Sequence, residues 1–392
     1  MASTQDAHGV QAIPSSHIDF CTMGMFIIDD IEFPAPKPPA RNVMGGAASF
    51  AAVGARLVAG HDHSKTVAWI VDAGSDFPPE IRETIQSWDT SCMIRETSDR
   101  LTTRAWNGYG ENEKRDFKYT TPKKHLNRNS LPERLLMSKT FHMVCAPARC
   151  MDLINGILER RSTIFKLRDF ELPRPIFVWE PVPNLCTPEE LEGFYEAAHM
   201  VDVLSPNALE LAGFFGKENW NGKEESELEI VNKIISSGIG PDGKGLLVVR
   251  AGKDGSYTYC QDKSLWLPAY HDPDFVENSH SADPTGAGNA FLGAMAQAMV
   301  SDGRPPIEEA KSDLAESKIW SDIVKRWDGS NQIPLSLICA TVAASYVVEQ
   351  VGLPSLSSSK EGEELWNGTD FSQRIHLYIK KMLESLEKKS TQ

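Results

Sequence analysis

The cysteines of this 392-residue sequence are unpaired: the seven (Cys21, Cys92, Cys145, Cys150, Cys186, Cys260 and Cys339) are scattered, odd in number and contain no Cys-x-x-Cys. That argues against a disulfide framework or a structural zinc and for buried, reduced thiols. No run of 18 apolar residues occurs, so no segment is suited to spanning a bilayer. The opening MASTQDAHGVQAIPSSHIDF has neither a charged n-region nor a continuous apolar h-region. The expectation is therefore the cytosol, with the nucleus as the alternative, where the sequon Asn367-Gly368-Thr369 would meet no glycosylation machinery. Basic charge is also scarce: 40 Lys and Arg face 54 Asp and Glu, a net charge of −14. Such an excess repels phosphate backbones and anionic lipid, so neither nucleic acid nor a membrane surface is expected as a partner.

What is present fits an ordinary globular chain, with 41% hydrophobic and 24% charged residues. The length is about 2.6 times a typical domain of roughly 150 residues, enough for one large or two unequal domains. Residues 1–16 are polar and expected to be disordered, and 355–364 (SLSSSKEGEE) and the final LEKKSTQ read as a flexible loop and a frayed end. Between them, β-rich runs at 19–28, 66–71, 141–145, 176–180, 201–205 and 246–250 alternate with helical patterns such as 189–199 and 225–237. That rhythm predicts an α/β fold, a three-layer sandwich whose largely parallel sheet is covered by helices on both faces.

Two segments depart from the rhythm. Residues 101–119 (LTTRAWNGYGENEKRDFKY) read as an antiparallel hairpin standing off the main sheet, either a lid over a ligand or a purely structural element, within a lid segment of about 98–122. Residues 301–334 form a charged helical insertion, with Trp320 and Trp327 seven apart on one face, a spacing that packs a helix onto its own domain. The domain proper is taken as 17–354, followed by a C-terminal loop and helix at 355–392.

The most informative run is Ser281-Ala-Asp-Pro-Thr-Gly-Ala-Gly-Asn-Ala-Phe-Leu-Gly-Ala-Met295. Gly286, Ala287 and Gly288 are too small to shield the backbone, and Phe291, Met295, Ala298 and Met299 begin an apolar helical stripe directly after them. A small-residue loop that opens a helix aims N–H groups and the positive dipole end at one point, the makings of a phosphate or oxyanion site. Alone it is also compatible with a tight strand-to-helix turn.

Other stretches agree in order along the chain. Asp283-Pro284-Thr285-Gly286-Ala287-Gly288-Asn289 resembles the D-x-T-G-A-G-D signature of the ribokinase-like, or PfkB, carbohydrate kinases. Asn42-Val-Met-Gly45-Gly46 resembles that family's N-terminal Gly-Gly motif, and Gly24-Met-Phe-Ile-Ile-Asp29 its first strand, ending in an Asp that holds sugar hydroxyls, with Asp30 a near-equal candidate. Ser205-Pro-Asn207-Ala-Leu-Glu210 matches P-N-x-x-E, and Val249-Arg-Ala-Gly252-Lys-Asp254-Gly255 the strand-turn beside the nucleotide. The resemblance implies ATP and Mg²⁺ as cofactors, the metal held through water by Asn207 and Glu210, and a monovalent cation near Asp283. It places nucleotide along Asn207, Gly252, Asp254, Gly255 and Thr285, its terminal phosphate over Gly286, Ala287 and Gly288. A hydroxyl-bearing small molecule would rest between the lid, Asp29, Gly45 and Gly46, with Arg104 and Asn107 as further contacts. Lid pairing between subunits, and so a homodimer, is a further implication.

The departure from the pattern is Asn289, where the family carries the aspartate that takes the acceptor's proton. An amide oxygen orients a hydroxyl but holds no proton at neutral pH, and loss of a positioned base costs roughly 10² to 10⁴ in rate. Phosphoryl transfer through a loose transition state still draws on positioning and charge. The expected activity is therefore ATP-dependent transfer to a hydroxyl of a sugar, nucleoside or related molecule, impaired or redirected. The alternative is a pseudokinase that binds nucleotide or metabolite and regulates. The fungal maintenance-of-killer branch is similar in ending its signature with Asn. Three compensations stay open: Asp283 as base in a shifted loop, Asp29 or Asp30 acting on a differently bound acceptor, or an acceptor that is already ionised.

Three further signals are set aside. Residues 238–244 (GIGPDGK) imitate a Walker A loop, but Gly245 replaces the metal-binding hydroxyl and the run precedes a strand. His61-Asp62-His63 has no third ligand at a recognisable spacing. The basic cluster Lys114, Arg115, Lys118, Lys123, Lys124, His125 and Arg128 is short within an acidic chain and reads as a solvated face.

Overall fold

The computed structural model describes residues 17–34, 36–109, 115–169, 171–222, 224–271 and 283–390. Expectations for residues 1–16, the hairpin tip 110–114, and Ser281 and Ala282 of the signature lie outside them. In chain order the first strands are β1 (Phe20–Thr22), β2 (Ile27–Glu32), β3 (Ala40–Gly45), β4 (Val67–Ala73), β5 (Ser91–Glu96), β6 (Arg104–Tyr109) and β7 (Arg115–Tyr119). They are followed by β8 (Thr140–Cys145), β9 (Ile176–Pro181), β10 (Val203–Leu204), β11 (Leu246–Arg250), β12 (Ser256–Cys260) and β13 (Lys263–Leu267).

Nine of these form one sheet in the order β13-β12-β11-β10-β9-β8-β1-β4-β5, parallel from β11 to β5 with β12 and β13 antiparallel at one edge. Both faces are buried, and period two divides the strand residues between them. Phe20, Trp69, Val178, Val203 and Val248 face one apolar cluster, while Cys21, Ile70, Trp179, Leu204 and Val249 face the other. Each face needs a helical layer, which gives the expected three-layer α/β sandwich. The chain runs outward from β1 through β4 and β5, then returns to lay β8 on its other side. The strand order therefore reverses between β1 and β8, and in such sheets ligands bind at the carboxyl ends of the strands beside the reversal.

The run 19–28 is not one strand. β1 stops at Thr22, whose Oγ1 accepts the Gly24 N–H at 3.0 Å, and the chain crosses over before β2 begins at Ile27. β2 belongs to a second sheet in the order β3-β2-β6-β7, so the predicted hairpin of β6 and β7 is half of a four-stranded sheet at the position of the expected lid.

The C-terminal region also differs from expectation. Leu356–Ser358 and Glu364–Trp366 pair as an antiparallel hairpin in place of a flexible loop, and the final helix Phe371–Ser390 carries on through much of the expected frayed end. The reason is a buried charge that composition does not reveal. Arg56, 0% exposed, donates Nη1 to Glu364 Oε1 at 3.0 Å, pairs Nη2 with Glu364 Oε2, and donates Nε to the Trp88 carbonyl at 2.7 Å. Trp366 packs beside it against Trp88. Trp320 and Trp327 are buried in the same cluster, so the helices at 305–326 pack onto the body of the fold.

All seven cysteines are free thiols. Gly238 ends the helix Glu225–Ser237 ahead of β11, as expected of a helix-closing turn. Asn367 of the sequon spends its side-chain amide on Tyr346 O, Glu349 and Gln350. Among the described residues no helix is long and apolar enough to cross a membrane.

Candidate active site

Two helices set the scale of the site. The platform helix, Gly46–Ala59, starts directly after β3, and the cradle helix, Ala287–Ala298, starts after the signature loop. They touch backbone to side: a Cβ on Gly54 would lie 2.0 Å from Ala290 O, and one on Gly293 would lie 2.0 Å from Ala51 O. The ring of Phe50, in the first turns of the platform helix, lies against Gly286 at the N-cap of the cradle helix. The start of one helix therefore neighbours the start of the other.

At the platform end, Asp29 is buried and its Oδ2 lies so close over Gly45 that a Cβ there would be 2.1 Å away. Gly46 takes φ +80°, where a side chain would also strike the Met25 carbonyl, so the turn into the helix requires glycine. Asn107, 2% exposed, donates Nδ2 to Asp29 Oδ1 at 2.9 Å. The Tyr119 phenol is pushed up by burial and then by the Asp29 charge. Asp29, Asn107 and Tyr119 thus converge on one face of the lid sheet.

At the cradle end, Asp283 Oδ1 accepts the Thr285 N–H at 2.9 Å and the Ala287 N–H closes a turn onto Pro284 O at 3.2 Å. Among the described residues the N–H groups of Gly286, Gly288 and Asn289 meet no acceptor. Asn289 Oδ1 is buried and has no hydrogen-bond partner.

Facing the cradle are groups from neighbouring strands of the main sheet. Arg250, last in β11, donates Nε to Ser205 Oγ at 3.2 Å and Nη2 to Ser205 O at 2.9 Å, and pairs Nη2 with Glu180 Oε1 at 3.0 Å and Glu210 Oε2 at 3.4 Å. Its Nη1 lies against Gly288, 1.9 Å from where a Cβ would sit. His142 is fully buried between Thr22 and Glu180. Thr22 Oγ1, which accepts the Gly24 N–H, lies 3.0 Å from His142 Nδ1, and His142 Nε2 lies 3.8 Å from Glu180 Oε2. Burial opposes the Glu180 charge, but Arg250 and then His142 outweigh it and hold this carboxyl below its usual range.

Asn207 caps the helix Ala208–Phe214 in a reciprocal box: its Oδ1 accepts Glu210 N at 2.9 Å, while its own N and Nδ2 each donate to Glu210 at 2.7 Å. Burial, with the Glu180 charge adding, pushes the Glu210 carboxyl up to about 7 against the pull of Arg250. A carboxyl that holds its proton more tightly when folded stabilises the fold fully below its unfolded value of 4.5, and that stabilisation is lost as pH rises through about 7. Glu210→Gln is expected to remove this slope. Denaturant titrations from pH 5 to 8 should show wild-type stability falling relative to the variant by about 2–3 kcal/mol, and parallel curves would contradict the assignment.

A family model described as pfkB family carbohydrate kinase matches residues 179–353. An uncharacterized protein of Schizosaccharomyces pombe is 33% identical over 380 residues, covering 93% of this chain and 94% of that protein. Protein MAK32 of Saccharomyces cerevisiae is 31% identical over 377 residues, covering 91% of each. The chain belongs to the pfkB family of carbohydrate kinases. Among solved structures, a putative ribokinase II of E. coli in complex with ATP and Mg²⁺ superimposes with TM-score 0.57 at 17% identity, covering 93% of this chain and 99% of that one.

Within this pfkB-family chain the structure gathers Asn207, Glu210, Gly288 and Asn289 at one end and Asp29, Gly45 and Asn107 at the other. Gly252, Asp254 and Gly255 form the short turn between β11 and β12. Two expectations change. Arg104 lies on the opposite lid face from Asn107, because strand residues an odd number apart face opposite sides, and it is engaged by Asp76 and Asn42. Ala287 shapes the cradle, its own N–H being taken by Pro284. Asp30, facing away from Asp29, accepts Asn42 N at 3.1 Å. Of the basic cluster, Arg128 pairs with Asp152 and Glu159. The sequence reading missed Thr22, His142, Glu180 and Arg250. For Thr22, Glu180 and Arg250 a polar residue late in an apolar strand was the available signal, and His142, third in β8, gave none.

The residues present do not fit a divalent ion directly. Two N–H groups of Asn207 already donate to Glu210, the Arg250 guanidinium stands beside it, and among the described residues no group of three or more His, Cys, Asp or Glu could hold a metal. Asp283 is turned onto its own loop.

Proposed function

We propose that this chain binds ATP and transfers its terminal phosphoryl group, weakly, to a hydroxyl of a sugar, nucleoside or related small molecule. The observation that carries the reading is Asn289 Oδ1, buried without a partner at the start of a helix whose first N–H groups are also unclaimed. A buried acceptor left unsatisfied costs about 1–3 kcal/mol, a cost that a ligand hydroxyl would relieve. The N–H groups of Gly286, Gly288 and Asn289 would take the phosphoryl oxygens at the positive end of the helix dipole. Asp29, oriented by Asn107, would accept hydroxyl protons from the acceptor's far side, and Gly45 and Gly46 leave room for it against the backbone. The Gly252–Gly255 turn lies beyond Arg250, where the rest of the nucleotide would extend.

The test is a ligand-stabilisation screen over nucleotides, sugars and nucleosides, followed by ADP release with each hit. Stabilisation by ATP and by one acceptor class, with slow acceptor-stimulated ADP release, is expected. A folded protein that binds neither would overturn the reading. Asn289 itself favours a second one, a pseudokinase that binds but does not transfer, for which binding without ADP release is the signature.

Asp29→Ala is expected to weaken the acceptor hit by about 10- to 100-fold, the worth of one or two hydrogen bonds to a charged group, and to leave ATP affinity unchanged. Calorimetric titration of each ligand checks this. Equal loss of both ligands would place Asp29 in the fold's support and not in the acceptor site.

A further inference from the structure

We infer that Arg250 takes the place of a divalent cation at the cradle, so that ATP binding by this chain does not require a metal. The inference rests on the nucleotide reading above and deepens it. A guanidinium against the N-terminus of a helix is unfavourable by itself, because the helix dipole presents positive charge there. Arg250 is nonetheless fixed in that place: the buried Ser205 holds Nε and Nη2, and Glu180 and Glu210 flank Nη2. Nη1, against Gly288, donates to nothing among the described residues. Its two N–H groups and the unclaimed N–H groups of Gly286, Gly288 and Asn289 make a set of donors with no acceptor, which is the chemistry of an anion site carrying its own cation. Glu180, 6% exposed, and fully buried His142 turn Oε2 and Nε2 toward each other at 3.8 Å, too long for a hydrogen bond.

The same arrangement is hostile to a metal. The Asn207 and Glu210 oxygens already accept hydrogen bonds, and a divalent ion beside them would face a like charge within a buried setting. A phosphate meets the reverse situation. It can draw Nη1 into a charge-assisted contact while Nη2 keeps its carboxylates.

The experiment is calorimetric titration of ATP into the full chain in EDTA and in Mg²⁺, for the wild type and Arg250→Gln, with melting curves to verify folding. For the wild type, equal affinity in the two buffers, within about threefold, is expected. Arg250→Gln should lose about 10- to 100-fold in EDTA, and Mg²⁺ should restore part of that loss, since the substitution frees two carboxylates. A wild-type affinity that falls tenfold or more in EDTA overturns the inference, and so does a variant that binds in EDTA as the wild type does. No wild-type binding in either buffer overturns the nucleotide reading instead. The wild-type comparison decides the matter even where the variant is unstable.

Discussion

Replacing Asn289 with aspartate is expected to raise phosphoryl transfer to a hydroxyl acceptor by about 10²- to 10⁴-fold. The site is prepared for the change. Residue 289 is the third of the cradle helix, where the dipole favours a carboxylate, and the atom that would carry the charge, Oδ1, has no partner to displace. The measurement is acceptor-dependent ADP release by wild type and Asn289→Asp with the acceptor from the binding screen, read as kcat against KM. A rise in kcat at unchanged KM identifies a wild type that lacks only its base. A variant no faster than wild type shows that transfer is limited elsewhere. A variant that destroys a measurable wild-type rate shows that the amide is itself needed, as for an acceptor that arrives ionised.

Removing the carboxylate of Glu364 is expected to destabilise the fold by about 3–5 kcal/mol, because it strands the Arg56 charge in the core. Arg56 has a side chain only 1% exposed, and the Glu364 carboxylate is its one anionic partner among the described residues. Denaturant midpoints for Glu364→Ala and for the double variant Arg56→Met with Glu364→Leu test this together. The single variant should lose most of that stability and the double variant should recover it, since a buried ion pair is often replaced by apolar side chains at little net cost. A single variant within about 1 kcal/mol of wild type would mean that water reaches Arg56.

The architecture was legible because it rests on local pattern. Apolar runs such as Leu246–Arg250 alternate with amphipathic helices, and only a parallel sheet buried on both faces satisfies them. The cradle loop was marked by small residues ahead of an apolar helix, whereas Asn207, Glu210 and Asp29 were named only through the family resemblance, and nothing in the sequence reading foresaw that Asn207 and Glu210 cap a helix by bonding each other. The end of β1 was not legible, because residues 19–28 are mostly apolar and the crossover depends on the Thr22 hydroxyl accepting an N–H two residues ahead. The C-terminal hairpin was read as loose because Ser and Glu composition carries no sign that one glutamate answers an arginine 308 positions away. Arg250, Glu180 and His142 went unnoticed for a related reason. Each is a polar residue within an apolar strand, and only the stacking of neighbouring strands brings Arg250 and Glu180 to Gly288 with His142 behind Glu180.

The contact of Gly54 with Ala290 and of Gly293 with Ala51 leaves no slack between the two helices that carry the halves of the site. The starts of the platform and cradle helices are therefore fixed in one block. Asp29 and Asn107 stand on β2 and β6, so under the proposed function any tilt of the β3-β2-β6-β7 sheet against that block would carry the acceptor contacts with it and set how far the phosphoryl group has to travel.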